Sequence, residues 1–505
     1  MTSVPDVLQT TQRPAWGAIQ FLQCLALCLL SCGVMTAVSF AQEAPAAPPN
    51  VPPPDRAGED WPCFLGPRHT GISGETRLPG KWPAAGPKRL WDRAVGTGYS
   101  APSVLENRLV VHHRLKDEEI VECVRADTGE PLWKHAEPSH FVDPYGYNNG
   151  PRCSPVLTKD RCYTLGAEGT LLCVSLSAGE PIWKRELRQE YKIPQGFFGV
   201  GSSPLLEGDK LIVMVGGQPN SGVVAFDATT GKPLWNSIGQ STWDKAATGW
   251  PGETEYEWTG DEMVVSYSSP ICETMHGQRH LLCLMRHGLV SLDPATGQER
   301  FHFWFRPRVH ESVNAAQPVV AGDTVLVSAA YRLGAALLKV KPDGKSYDVV
   351  WKNPTNLLTH WSTAIAHDGA FYGFSGRHEN EGIFRCLDAK SGEMRWETPG
   401  MSDEQLKGLK QGPDGRIVDV QTKAAVPWPL YGRASKIMVD GKFIVLAERG
   451  GMLSLVQVDK TQYTELSRCE VPGMRYPCWT APVLSRGRLY LRCEDRLICL
   501  DLQQP

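Results

Sequence analysis

This 505-residue sequence predicts an all-β fold, an eight-bladed β-propeller of four-stranded antiparallel blades. Three observations carry that prediction. First, a phrase ending in an aromatic residue recurs; its clearest copy is Ala225-Phe226-Asp227-Ala228-Thr229-Thr230-Gly231-Lys232-Pro233-Leu234-Trp235. Variants end at Trp133, Trp183 and Trp396, and a Phe301 version follows Gly297. Intervals of roughly 45–75 residues indicate stacked copies of one supersecondary unit. Second, the stretches between copies are short β-rich runs punctuated by Gly and Asp, as in antiparallel hairpins. Third, the chain ends complement each other. An orphan Trp strand, Lys88-Arg89-Leu90-Trp91-Asp92, precedes the first copy, and the last copy stops after three strands, at Leu502. Together they complete a blade and remove the exposed sheet edges of an open array.

Each unit starts with small residues, often followed by Pro. The eight starts contain Pro102, Pro155, Pro204, Pro270, Pro318, Ala364, Lys436 and Pro482. A turn such as Glu207-Gly208-Asp209 or Ala321-Gly322-Asp323 leads to a second strand, for example Leu211–Val215. A third strand such as Val223–Asp227 or Ile383–Asp388 follows, then a Thr-Gly or Ser-Gly turn and the Trp strand. Asp227, Asp293 and Asp388 precede tight turns, where a short carboxylate accepts backbone N–H groups. Gly231, Gly297 and Gly392 supply the positive-φ position. The Trp is large and flat enough to fill the gap between blades, and its buried N–H needs a partner.

The chain divides into a signal peptide at 1–41, a Pro/Ala-rich linker at 42–59, a lead-in segment at 60–87 and the propeller at 88–505. Arg13 precedes a stretch without charged residues from Trp16 to Phe40, ending in small residues at Ser39-Phe40-Ala41, which reads as a secretory signal. Two other readings stand beside it: a lipoprotein box at Leu29-Leu30-Ser31-Cys32 and an uncleaved anchor. All three place the rest outside the cytoplasm, in the periplasm or secreted, with membrane association under the last two. A formal net charge of -3 gives no reason to expect nucleic acid as partner. Of the fifteen cysteines, Cys123, Cys173, Cys386 and Cys499 occupy the slot that Ala225 and Ser291 fill elsewhere. Cysteine there is expected as a small buried hydrophobe, too far from its counterparts to bridge.

The phrase Ala225-x-Asp227-x-x-x-Gly231-x-x-x-Trp235, with its variants at Cys386–Trp396 and Ser291–Phe301, resembles the tryptophan-docking repeat of pyrroloquinoline-quinone (PQQ) propellers. The lead-in, with Asp60-Trp61-Pro62 and Lys81-Trp82-Pro83, is similar to the segment preceding many secreted bacterial members. That superfamily includes quinone-dependent dehydrogenases and the cofactor-free propeller subunit of the outer-membrane barrel-assembly machinery, so the fold does not decide function. Arg125 and Ser175 stand where the phrase expects Asp, and the fifth unit is degenerate, with Lys341-Pro342-Asp343-Gly344 and a delayed Trp351. The adjacent cysteines of the quinone alcohol dehydrogenases and a Cys-x-x-Cys-His haem motif are absent from the sequence, and their calcium-holding and base residues do not align.

Blade equivalence places the residues three before the Pro slot in a ring at one mouth: Tyr99, Arg152, Gly201, Tyr267, Ala315, Trp361, Arg433 and Trp479. Aromatics with two arginines suit a flat anion. The resemblance suggests PQQ with calcium there, with Arg152 and Arg433 on carboxylates, Trp361 or Trp479 stacking, and no nameable base. The plainer reading is a face for protein contacts. Cys272, His276, His280 and Cys283 have zinc-ligand types, but on a hairpin they do not converge, and a cross-strand cysteine pair is the stronger expectation. His112 and His113 face opposite ways on one strand. Insertions at 236–262, with Trp243, Trp250, Tyr256 and Trp258, and at 397–432, with a turn at Gly412-Pro413-Asp414-Gly415, are candidates to bind a partner, and the first also to cover the funnel. The aromatic-rich one has the alternative of forming its own small cluster. The leading expectation is an extracytoplasmic, non-catalytic scaffold or binding module with a protein partner, in envelope protein assembly. The alternative is a PQQ- and calcium-dependent alcohol or sugar dehydrogenase.

Overall fold

A computed structural model of the chain describes residues 49–194 and 196–503, and within them every predicted unit folds as a four-stranded antiparallel sheet. The signal, lipoprotein and anchor readings lie outside the described residues. Blades 1 to 7 run over residues 103–138, 156–186, 205–237, 271–304, 319–353, 365–398 and 435–470. Blade 8 combines 483–501 with the strand Lys88–Ala94, which pairs antiparallel with Arg496–Asp501 and sets Trp91 opposite Cys499.

The aromatic phrase docks one blade on the next. The indole N–H of Trp133 donates to Leu176 O at 2.9 Å, Trp183 to Ala228 O at 3.1 Å and Trp235 to Pro294 O at 3.2 Å. Trp351 donates to Ala389 O, Trp396 to Asp459 O, and Trp91 across the closure to Ala126 O at 3.0 Å. The phrase glycine of the following blade lies on the indole face. A Cβ at Gly179 would sit 2.4 Å from the Trp133 ring, and one at Gly231 would sit 2.7 Å from Trp183. Glycine is therefore required twice, for a positive φ (72° at Gly179) and for that close approach. The turn carboxylates cap as expected: Asp227 Oδ1 accepts from the Thr229 and Thr230 N–H groups, and Asp388 Oδ1 from Lys390 and Ser391. Where Asp is missing, Ser175 Oγ accepts from Ala178 and Glu180, both at 3.3 Å.

Two departures from the phrase, in blades 4 and 5, meet at one interface. Phe301, without an N–H, packs on Tyr347 of blade 5 with ring centroids 5.1 Å apart, and Gly344 of the degenerate turn faces the Gln278 side chain, with no indole. At the blade 7–8 junction Ser467 fills the aromatic slot opposite Leu455, and Trp82 of the lead-in is buried in the cluster where these blades meet.

The small residues that open each blade tie the inner strands together. Ser103 Oγ donates to Pro155 O, Ser203 Oγ accepts from Ser154 N, Ser269 Oγ from Ser203 N, and Thr363 Oγ1 from Gln317 N. The lead-in crosses beneath this ring. Its backbone bonds Val104 of blade 1 through Trp61, Leu157 of blade 2 through Pro62, and Met438 of blade 7 through Gly71 and Ser73. Asp55 and Arg56, assigned to the linker by sequence, pair with Arg488 and Asp501 of the last blade. The slot cysteines Cys123, Cys173, Cys386 and Cys499 are buried and free.

Gly179→Ala is expected to cost about 2–4 kcal/mol, because it adds both αL strain and a clash with Trp133. Trp133→Phe, which keeps an aromatic ring but loses the bond to Leu176 O and part of the packing on Gly179, is expected to cost less, about 1–2 kcal/mol. Chemical denaturation of the two variants checks this; equal midpoints would mean that the indole–glycine contact is not limiting.

Candidate functional site

All eight ring positions line one open cavity of about 240 Å³, joined by Phe64, Asp143, Tyr147, Phe198, Val313 and His360. Each ring residue ends the crossover between one blade and the inner strand of the next, so eight-fold repetition alone brings them together. The crossovers also interlock: Tyr99 N donates to Pro151 O, and Tyr267 N to Asn314 O. Gly201 makes room for its neighbour, since a Cβ there would lie 2.6 Å from the Tyr267 ring. Phe64 comes from the lead-in that passes beneath the blade starts.

The aromatic lining is continuous. Tyr99 packs on Trp479 at 4.8 Å, Tyr147 on Trp479 at 5.8 Å, and Phe198 on Tyr267 at 5.4 Å. Tyr267 Oη accepts from Phe198 N at 2.8 Å, and burial pushes its phenol up to about 12, so it stays protonated. Burial raises Tyr99 further.

Both arginines are already bound within the protein. Arg152 Nη2 pairs with Asp143 at 2.7 Å and Nη1 donates to Gly150 O; the Asp143 side chain is fully buried. Arg152 lies 5.9 Å from the Tyr99 ring centroid, and desolvation lowers its pKa despite Asp143. Arg433 holds Glu448, also fully buried, through Nη2 at 2.5 Å, Nε at 3.1 Å and its backbone N–H at 2.8 Å. The same carboxylate accepts the Trp479 indole N–H at 2.7 Å. Arg433 Nη1 donates to His360 Nδ1 at 3.1 Å, which leaves His360 Nε2 to donate to Tyr331 Oη at 3.3 Å. Burial and the Arg433 and Arg377 charges hold His360 neutral, with its pKa lowered to about 3.

These residues do not fit a calcium-bound tricarboxylate quinone. The cations that would meet its carboxylates face Asp143 and Glu448 instead, and those carboxylates are in turn engaged by arginine and indole. Among the described residues, no three His, Cys, Asp or Glu gather as a metal would need. What the recess offers is aromatic surface with a few donors, including the buried, unpartnered Trp361 Nε1. The ring was legible from blade periodicity. Asp143, Tyr147, Phe198 and His360 were not, since they lie on irregular crossovers; aromatic clustering at Tyr145-Gly146-Tyr147 and Phe197-Phe198 was a signal for Tyr147 and Phe198, and nothing pointed to Asp143 or His360.

The remaining candidates separate. Cys272 pairs across the hairpin with Leu281, so Cys283 is two residues out of register; both are free, and the expected opposed pair is not formed. The tight Met275–Gln278 reversal sets this register. His276 sits at that tip and bonds Val340 O, while His280 bonds Ser291 Oγ. His112 and His113 diverge, toward Glu119 and Glu122. The insertion at 236–262 contributes no lining residue; Trp243 and Ala246 enter the core, and Trp243, Tyr256 and Trp258 surround His287 of blade 4. The insertion at 397–432 forms a capped helix, Asp403–Lys407, and a hairpin turning at Gly412–Gly415.

The family described as outer membrane protein assembly factor BamB matches residues 116–398 and 219–503. No curated protein matches the sequence. Among solved structures, BamB from Moraxella catarrhalis is 13% identical with a TM-score of 0.51, covering 83% of this chain and 98% of that one. The quinohemoprotein alcohol dehydrogenase of Comamonas testosteroni is 13% identical with a TM-score of 0.55, covering 88% and 81%. A europium-containing methanol dehydrogenase is 11% identical with a TM-score of 0.56, covering 88% and 89%. At these identities the likeness is one of fold.

His360 yields a pH prediction. Its folded pKa lies below the ordinary 6.5, so its stabilising contribution is complete above about 6.5 and is lost as pH falls toward about 3. His360→Gln is expected to flatten the acid limb of stability against pH by about one proton over that window. Parallel slopes in denaturant titrations of wild type and variant would refute this.

Proposed function

The chain belongs to the family described as outer membrane protein assembly factor BamB, and we propose that it is an extracytoplasmic, non-catalytic binding module that receives a protein partner at the cavity mouth. The observation that carries this reading is the internal neutralisation of the cavity. Arg152 meets Asp143, Arg433 meets Glu448, and His360 is neutral with both ring nitrogens bonded. Such a lining leaves no poised base or nucleophile, but it keeps a rigid aromatic collar, and rigid aromatic pockets anchor protein contacts. The rim agrees: Tyr145 and Tyr147 are each about half exposed and pack edge-on against Phe197 and Phe198. Export is supported by the uncharged stretch from Trp16 to Phe40, and among the described residues no helix is long and apolar enough to cross a membrane. Envelope protein assembly is the process the family description suggests for this chain. The quinone reading is disfavoured by the engaged arginines.

The test places the photo-crosslinker benzoylphenylalanine at Tyr147 in the native host and titrates the purified protein with PQQ and Ca²⁺. A discrete protein adduct, reduced at least several-fold by Trp361→Ala, together with no saturable quinone binding, is expected. Micromolar quinone binding that Arg433→Ala abolishes would overturn the reading.

A further inference from the structure

Beside the aromatic cavity lies a second recess of about 550 Å³ between blades 5 and 6, lined by Tyr331, Arg332, Arg377, Arg385 and Glu381. Its arginines are held differently. The Arg377 guanidinium lies 4.5 Å from the Tyr331 ring centroid, and among the described residues its side chain and that of Arg332 make no ion pair. Stacking on a ring orients a guanidinium without using its in-plane N–H donors, whereas the arginines of the first cavity have theirs engaged by carboxylates. The one carboxylate in the recess forms no ion pair with either: Glu381 Oε2 accepts the backbone N–H groups of Arg377 and His378 at 2.9 and 3.1 Å. Arg385 forms a fixed wall, bonded to Glu397, Thr355 O and Ser375 Oγ.

The backbone supplies a second, independent observation. Tyr331 and Arg332 form the tip of the blade 5 hairpin, with φ of 60° and 62°. Two consecutive positive φ values suit Asn-Gly; a bulky aromatic and an arginine there cost stability. Strain of this kind persists where the side chains it presents are used, and here it presents the stacking ring and an exposed guanidinium to the recess. The two recesses are neighbours: Arg433 Nη1 donates to Arg377 O at 2.9 Å, and Tyr331 Oη meets His360 at 3.3 Å.

We propose that the Arg332–Arg377 recess binds carboxylate side chains of an acidic segment of the partner protein, whose neighbouring apolar side chain enters the aromatic cavity. This rests on the binding-module reading above and names the chemistry of the partner it receives. Charge complementarity favours a carboxylate, and the adjoining aromatic cavity favours a peptide over a small ion.

The experiment measures fluorescence anisotropy of a labelled twelve-residue peptide alternating Asp with Gly around one central Trp, against the same peptide with Asn for Asp. The acidic peptide is expected to bind, to weaken as salt is raised, and to lose at least about tenfold in affinity with Arg332→Gln/Arg377→Gln; the Asn peptide is expected not to bind. A second variant, Tyr331→Asn/Arg332→Gly, is expected to raise the thermal midpoint while losing the peptide, a pairing that misfolding does not produce. Equal binding of both peptides, or no effect of either variant, overturns the proposal. So does inorganic phosphate displacing the peptide with the same arginine dependence, or binding to phosphatidylglycerol vesicles in its place. If the acidic peptide fails while crosslinking from Tyr147 persists, only this inference falls; loss of the crosslink as well removes the binding-module reading beneath it.

Discussion

One indole laid on one glycine is the contact on which the ring depends. The Trp reaches past its own blade, its N–H bonds a turn carbonyl of the next, and the glycine beside that carbonyl accepts the ring face. The contact satisfies a buried donor, fills the gap between sheets that diverge outward, and sets the spacing at which the next blade can begin. Each copy of the phrase is thus half of two interfaces. The turn Asp or Ser positions the glycine, and the strand opposite carries a small residue, Ala225, Cys123 or Cys386, where the indole's own strand pairs.

The places where the phrase fails show how far the array tolerates change. Blade 4 has Phe301 in the docking position and blade 5 carries the altered turn at Gly344, so both halves of one interface have departed together and a Phe301–Tyr347 contact replaces the dock. Blade 7 has Ser467 where an aromatic belongs, and the junction is filled by Trp82 from outside the repeat. Closure uses the standard contact, with Trp91 supplied by the other end of the chain. The ion pairs of Asp55 and Arg56 with the last blade hold the approach to that strand in place.

A ring assembled in this way brings eight equivalent crossovers to one mouth, and the residues there need not serve the fold. In the aromatic cavity, charges are matched inside the protein, because a buried guanidinium without a partner is costly. Next to it, where the wall opens to solvent between blades 5 and 6, Arg332 and Arg377 are exposed and can stay unmatched. The face therefore combines an aromatic recess with a cationic one, separated by a neutral His360 bonded on both sides.

Periodicity in the sequence was enough to determine the number of blades, the closure, the docking role of Trp, the positive-φ role of Gly, and the ring from Tyr99 to Trp479. Each of these follows from a local pattern repeated in register, so that knowing one copy places the others. The tertiary structure alone decided which charges are available. Asp143 lies on a crossover and Glu448 in the turn after the strand Lys442–Leu446, so their pairing with Arg152 and Arg433 has no sequence signature. The same holds for Phe64 reaching the cavity from the lead-in and for the aromatics of 236–262 closing on His287 instead of over the funnel. Fold follows from repetition along the chain, whereas the chemistry of the site follows from non-repeating loops that meet only once the ring has closed.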